Sequence, residues 1–295
     1  MKRALIILAS IFFSGIYAFS QDYTPLRNSI SQIVQGKQAT VGVALIADGD
    51  TLTINNDFHY PMQSVYKFHL GMAVLDYIDN KIPLSHSVFV EKSELKENTH
   101  SPLRDSHPEG NFNISLGELI KYSVSLSDNN ACDILFKFIG GPAKVDEYMR
   151  NIGVSDVSIM TTEEEMHKDF DLQYQNWTTP FAAASLLEKF RTGNLLSTEH
   201  YNFLWNTMKD TTTGSNKIKA LLPKGTIVAH KTGSSFRYPN GLNAAENDIA
   251  IIRLPDGRYY SLAVFVADSM ESADVNCRMI ADISKAVYDY LVTNE

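Results

Sequence analysis

The chain has 295 residues, room for one large domain or two modest ones at about 100–200 residues each. It is 44% hydrophobic and 20% charged, with 16 Gly and 10 Pro, which excludes a disordered or low-complexity polymer. A formal charge of −8 disfavours a general nucleic-acid binder, and two cysteines are too few for a disulfide scaffold or a four-sulfur zinc site.

Residues 1–20 read as a secretory signal peptide. Lys2 and Arg3 precede an apolar run from Ala4 to Ala18, and Ala18-Phe19-Ser20 offers small residues at the cleavage spacing. A membrane anchor is the competing reading. The run falls short of the about 20 residues a span needs, however, and it contains Ser10, Ser14 and Gly15. No Cys lies near the cleavage point to carry a lipid. Removing the segment takes away two positive charges and no negative ones, so the mature chain carries −10. The expected product is secreted, periplasmic in a Gram-negative bacterium, and free of the membrane once the signal is gone.

Residues 23–35 then carry Leu26, Ile30, Ile33 and Val34 at helical spacing. Thr40 to Ala47 reads as a strand, Asp48-Gly49 as its turn and Thr51 to Ile54 as the returning strand. Helical patterns fill the interior over 64–79, 116–124, 129–139, 142–151, 179–191 and 199–208. Ser115 and the Ser127-Asp128-Asn129-Asn130 run supply capping residues at two of these starts. Strand character returns at 226–230, 248–254 and 259–267, the last two joined by a Pro255-Asp256-Gly257 turn. A final helix over 271–293 presents Val275, Met279, Ile280, Ile283, Val287 and Leu291.

Strands at both chain ends, separated by a helical interior, predict an α/β (α+β) fold in a single unit, 21–295. An antiparallel sheet flanked by the terminal helices would come from about 21–60 and 210–295. An all-helical lobe would come from about 61–209. The cleft between the lobes is the expected site.

Three short motifs carry possible chemistry. Ser64-Val65-Tyr66-Lys67 opens a helix, where a three-residue step puts both side chains on one face and the lysine can help to activate the hydroxyl. Ser93-Glu94-Leu95-Lys96 repeats that spacing but reads as a solvated charged segment. Ser127-Asp128-Asn129 is an ordinary helix cap unless Ser127 relays a proton and Asn129 donates to a substrate. Lys231-Thr232-Gly233 falls at the end of the predicted strand 226–230, a plain strand end or a cationic edge beside a nucleophile.

In this order the three motifs resemble those of class A serine β-lactamases, over essentially the whole mature chain. The similarity is to the divergent branch of Bacteroides-type and extended-spectrum enzymes, and Gln173-Tyr174-Gln175-Asn176-Trp177 strengthens it. The resemblance implies that Ser64 attacks the lactam carbonyl, with Lys67, or Glu163 through a water, as base. Ser64 and Ser234 backbone N–H groups would form the oxyanion hole. Ser127 would protonate the departing nitrogen, and Asn129 would donate to the substrate's side-chain amide. Lys231, Thr232 and Ser234 would face the substrate carboxylate. Lys217, fourteen residues before Lys231, lies where some relatives place an Arg, and Lys219 competes for that role.

Glu163 in Thr161-Thr162-Glu163-Glu164-Glu165-Met166-His167 is the implied deacylating base, with Glu164 and Glu165 facing solvent. His167 stands where the family usually carries Asn; it is expected among the substrate-binding residues, and the departure leaves the positioning of the hydrolytic water open. The competing reading of the Glu triplet is a charged helix start. His100 and the segment 234–238 are expected to shape the entrance and the pocket for substrate side chains, and the branch resemblance tilts the expected substrates toward cephalosporins.

No cofactor or metal is expected: the eight histidines include no His-x-His or His-x-x-x-His pair. Cys132 and Cys277 are expected as buried free thiols, because the position that pairs in some relatives is Gly71 here. The expected partners are small-molecule β-lactam antibiotics, with no nucleic acid and a monomeric chain. The alternatives are a D,D-peptidase or transpeptidase, or a β-lactam sensor that stays acylated. Glu163 and the compact length speak against the first, and the lack of a membrane-spanning stretch after the signal speaks against the second.

Overall fold

The computed structural model describes residues 21–294, so residues 1–20, read above as a signal peptide, lie outside the described residues. The chain opens with α1 (Thr24–Val34), β1 (Thr40–Ala47), β2 (Asp50–Ile54) and a two-residue strand β3 (Tyr60–Pro61). A 3₁₀ turn, Gln63–Val65, leads into α2 (Tyr66–Ile78). Then come β4 (Ser87–Val90), α3 (Pro102–Ser106), β5 (Phe112–Ser115), α4 (Leu116–Val124), α5 (Asn129–Ile139), α6 (Pro142–Asn151) and β6 (Val157–Ser158). The rest comprises α7 (Glu163–Lys168), β7 (Trp177–Thr178), α8 (Pro180–Thr192), α9 (Thr198–Lys209), β8 (Val228–Ser234), β9 (Asn243–Arg253), β10 (Tyr259–Ser269) and α10 (Ala273–Thr293).

The main sheet has the order β2-β1-β10-β9-β8, and every neighbouring pair is antiparallel. Strand alternation sends successive residues to opposite faces. Val43 and Leu45 of β1 and Leu262 and Val264 of β10 pack with Leu26 and Ile30 of α1 and with Ile280, Ile283 and Val287 of α10. Ala44, Ala263 and Phe265 point the other way, into a second core that runs on through α2, α4, α5 and α8. At its centre every residue of α2 from Tyr66 to Leu75 is buried.

Helices α4, α5 and α6 match their expected bounds, and their ends show why. Ser115 and Glu118 form a reciprocal capping box, and Asp128 caps α5 by accepting from the Ala131 N–H at 2.8 Å. Three readings are corrected. Lys231-Thr232-Gly233 lies within a strand that runs on to Ser234, not at the end of one closing at 230. Six of the seven residues of β8 are buried, so the polar–apolar alternation that would mark its length is absent. Strand β9 begins at Asn243 rather than 248 for the same reason. Finally α8, assigned with the interior helices, packs against β1, β9 and β10.

Candidate active site

The nucleophile turn sits where β8 presses against the start of α2. Gln63 adopts φ 47°, a left-handed conformation unusual for a side-chain-bearing residue, and Ser127 across the cleft does the same at φ 58°. Strain of this kind persists only where the surroundings enforce it. Around Ser64 they do. Asn247 of β9 donates from Nδ2 to the Pro61 and Met62 carbonyls at 2.9 and 3.2 Å, and Gln63 Nε2 donates to Gln173 Oε1 at 2.5 Å.

Lys67, one turn into α2, is fully buried and gathers the site around its ammonium. Its Nζ lies 2.9 Å from Ser64 Oγ, 3.0 Å from the Ser127 carbonyl oxygen and 2.8 Å from Glu163 Oε1, and it also donates to Asn129 Oδ1. Asn129 turns its amide nitrogen to Thr99 Oγ1 at 2.7 Å. Lys231, also fully buried, donates to Ser127 Oγ at 2.9 Å and to its neighbour's carbonyl, that of Thr232, at 2.9 Å. Burial, and then the like charges of Lys67 and Lys217, hold the Lys231 ammonium well below the usual lysine range.

Glu163 is the first residue of α7, so the triplet does open a charged helix, and its carboxylate reaches Lys67 in the cleft. Asp133 of α5 fixes that helix start, accepting from the Glu163 and Glu164 N–H groups at 2.8 Å each. Burial, and then the charge of Glu163, push the Asp133 carboxyl up to about 7. Glu165 closes a capping box with Thr162, and Glu164 pairs with Lys96 and Lys168 on the outside.

The cleft encloses about 380 Å³. Ser64, Ser127, Asn129, Glu163, His167, Lys217, Thr232, Ser234 and His100 all line it. Lys217 Nζ donates to Ser234 Oγ and to the Gly233 and Asn247 carbonyls, whereas Lys219 turns away to the Thr211 carbonyl. Ser93 does not reach the cleft and hydrogen-bonds to Glu91 on the surface. Phe170 and Phe236, both exposed, meet edge to face at its rim with centroids 6.3 Å apart. Cys132 and Cys277 are unpaired, and Cys277 touches the cleft wall. Among the described residues no group of three or more His, Cys, Asp or Glu is arranged to hold a metal ion.

The sequence model of the β-lactamase enzyme family matches residues 25–291. The chain belongs to that family. It is 44% identical over 293 residues to a β-lactamase of Bacteroides uniformis, covering 98% of this chain and 99% of the relative. It is 43% identical over 295 residues to the β-lactamase VEB-1 of Pseudomonas aeruginosa, covering 98% of each. Among solved structures, the TLA-3 extended-spectrum β-lactamase superposes with a TM-score of 0.90 at 52% identity, over 91% of this chain and 98% of that one. A class A β-lactamase from Bacteroides cellulosilyticus gives 0.89 at 44%, with the same coverages. The fold is thus that of the class A β-lactamases, and the chain is a serine β-lactamase that hydrolyses β-lactams and so confers resistance to them.

Three residues of the site escaped the sequence reading: Asp133, Gln63 and Glu246. Each acts through partners 12 or more positions away, a distance over which no spacing rule operates.

Proposed function

We propose that this β-lactamase opens the lactam ring at Ser64 and releases the product by water activated at Glu163. The observation that carries the reading is the unbroken contact from Ser64 Oγ through Lys67 Nζ to Glu163, with Ser127 and Lys231 in contact on the other side. In acylation the Ser64 proton passes to Glu163 through a water, or to Lys67 once Lys67 has given a proton to Glu163, as the serine oxygen bonds to the carbonyl carbon. The N–H groups of Ser64 and Ser234 receive the developing oxyanion. Ser127 gives its proton to the leaving nitrogen as the C–N bond breaks and takes in its place, relayed through Lys67, the proton that left Ser64, while Lys231 beside it steadies the serine oxygen. Glu163 then takes a proton from water as the water oxygen attacks the ester, and Ser64 leaves with a proton restored.

Asn129 is the donor to the substrate's side-chain amide, while Lys231, Thr232, Ser234 and Lys217 hold its carboxylate. His167, exposed on α7 one turn beyond Glu163, borders the space for the hydrolytic water. An anion arriving at Lys231 favours the protonated lysine that burial opposes, so substrate and site charge stabilise each other. The substrates are β-lactam antibiotics, with cephalosporins favoured by the similarity to extended-spectrum enzymes. The catalytic unit is residues 21–295, with the site between the sheet and the helical lobe. The chain is exported, an inference that rests on residues 1–20.

The test is a chromogenic cephalosporin given to the parent and to Glu163→Gln. The parent turns over many equivalents; the variant keeps its acylation burst, and mass spectrometry finds the acyl-enzyme trapped. A parent that stalls after one equivalent would instead be a D,D-peptidase or a sensor.

A further inference from the structure

A carboxylate stands on the cleft edge that was expected to be cationic. Glu246 of β9 lies opposite Ser234 of β8 in the strand register and is 5% exposed. Its Oε1 accepts from Ser234 Oγ at 2.5 Å and pairs with Lys217 Nζ at 2.6 Å. The Lys217 charge is therefore matched at contact distance. Lys231 has no carboxylate within ion-pair range among the described residues, so it is the uncompensated cation on this edge.

Substrate geometry gives this arrangement a consequence. In a cephalosporin the ring carbon bearing the carboxylate is bonded to the carbon bearing the C3 substituent. Any group that holds the carboxylate therefore has that substituent close by. We propose that Glu246 is a specificity-determining residue that reads the charge of the group beside the substrate carboxylate. It weakens binding of substrates whose only charge there is anionic, and it offsets that cost for substrates carrying a cation at C3. The inference rests on the cleft being the β-lactam site.

Glu246→Gln removes the charge and keeps the shape. The amide oxygen can still accept from Ser234 Oγ, and Lys217 keeps its acceptors at Ser234 Oγ and the Gly233 and Asn247 carbonyls. One charge at this range in a partly shielded cleft is worth about tenfold in recognition.

The test compares kcat/KM for two cephalosporins with the same C7 side chain, one with a neutral C3 group and one with a quaternary ammonium. In Glu246→Gln the value for the neutral-C3 substrate is expected to rise about tenfold, while that for the ammonium substrate stays within about threefold. Glu246→Asp, which keeps the charge, is expected to hold the parent's ratio. A common change for both substrates in Glu246→Gln would mean that Glu246 only braces the strand edge, and it overturns the proposal. If circular dichroism shows Glu246→Gln unfolded, the parent decides: its preference between the two must shrink as ionic strength rises, and a constant ratio overturns the idea. A parent that turns over neither substrate defeats the active-site reading itself, which is a different result.

Discussion

A Cβ placed on Gly233 would stand 2.4 Å from the Met62 carbonyl oxygen and 3.2 Å from the Ser64 nitrogen. Strand β8 can lie this close to the nucleophile turn only because position 233 has no side chain. Gly233→Ala is therefore expected to push the two apart and separate the Ser64 and Ser234 N–H groups. The acylation rate by stopped flow should fall about a hundredfold, the scale of losing one oxyanion donor. Urea unfolding should show a stability loss of about 1–3 kcal/mol from overpacking. Lys231 makes a second prediction at this scale. Its lowered pKa means that it sheds its charge at lower pH than an ordinary lysine, so KM for an anionic substrate should begin to rise correspondingly early on the alkaline side. Lys231→Arg, whose guanidinium keeps its proton beyond about pH 12, is expected to remove that rise.

Helix α7 is only six residues long, and its first residue is the proposed base. Such a helix has little stability of its own, so its start depends on Asp133. Asp133→Ala is expected to slow deacylation more than acylation, which single-turnover kinetics with mass-spectrometric detection of the ester would resolve. The same carboxyl links folding to pH. Its pKa rises from 3.8 to about 7 on folding, so the native state takes up a proton over that interval, and this group's contribution to stability is lost as pH rises through it. Relative to the parent, Asp133→Asn should therefore gain stability progressively between about pH 4 and about pH 7, read as the shift in urea midpoints. Elements with local signatures were legible in the sequence. The capping box at Ser115 and the Asp128 cap fixed α4 and α5 to the residue. The pair β4–β5 was not, because Ser87–Val90 and Phe112–Ser115 are four residues each, with Phe89 half exposed, and only their mutual pairing defines them. The motifs at Ser64, Ser127 and Lys231 were legible as a set. The contacts of Glu163 with Asp133 and of Ser234 with Glu246 depend on how separate elements meet, which spacing does not encode.

The two cores divide the labour of the molecule. The one holding α2 carries the site, whereas the one under α1 and α10 lies on the sheet's far face. Ile30→Ala, at a fully buried position in the latter, is expected to cost about 2–4 kcal/mol in urea unfolding while leaving kcat unchanged. Denatured, unreduced protein should titrate two thiols, Cys132 and Cys277. The sheet order also has a consequence for how the chain comes into being. Thr40 pairs with Ala267 and Ala47 with Tyr260, so the central ladder joins residues more than 200 positions apart. A ribosome delivers the first of these strands long before the second exists, and β1 waits with one edge unfilled and only the hairpin partner β2 beside it. Contacts this distant fold late, which keeps the nascent chain loose until its last eighth has emerged. A chain that stays loose while it is made is one that can still be threaded through a narrow pore before it locks.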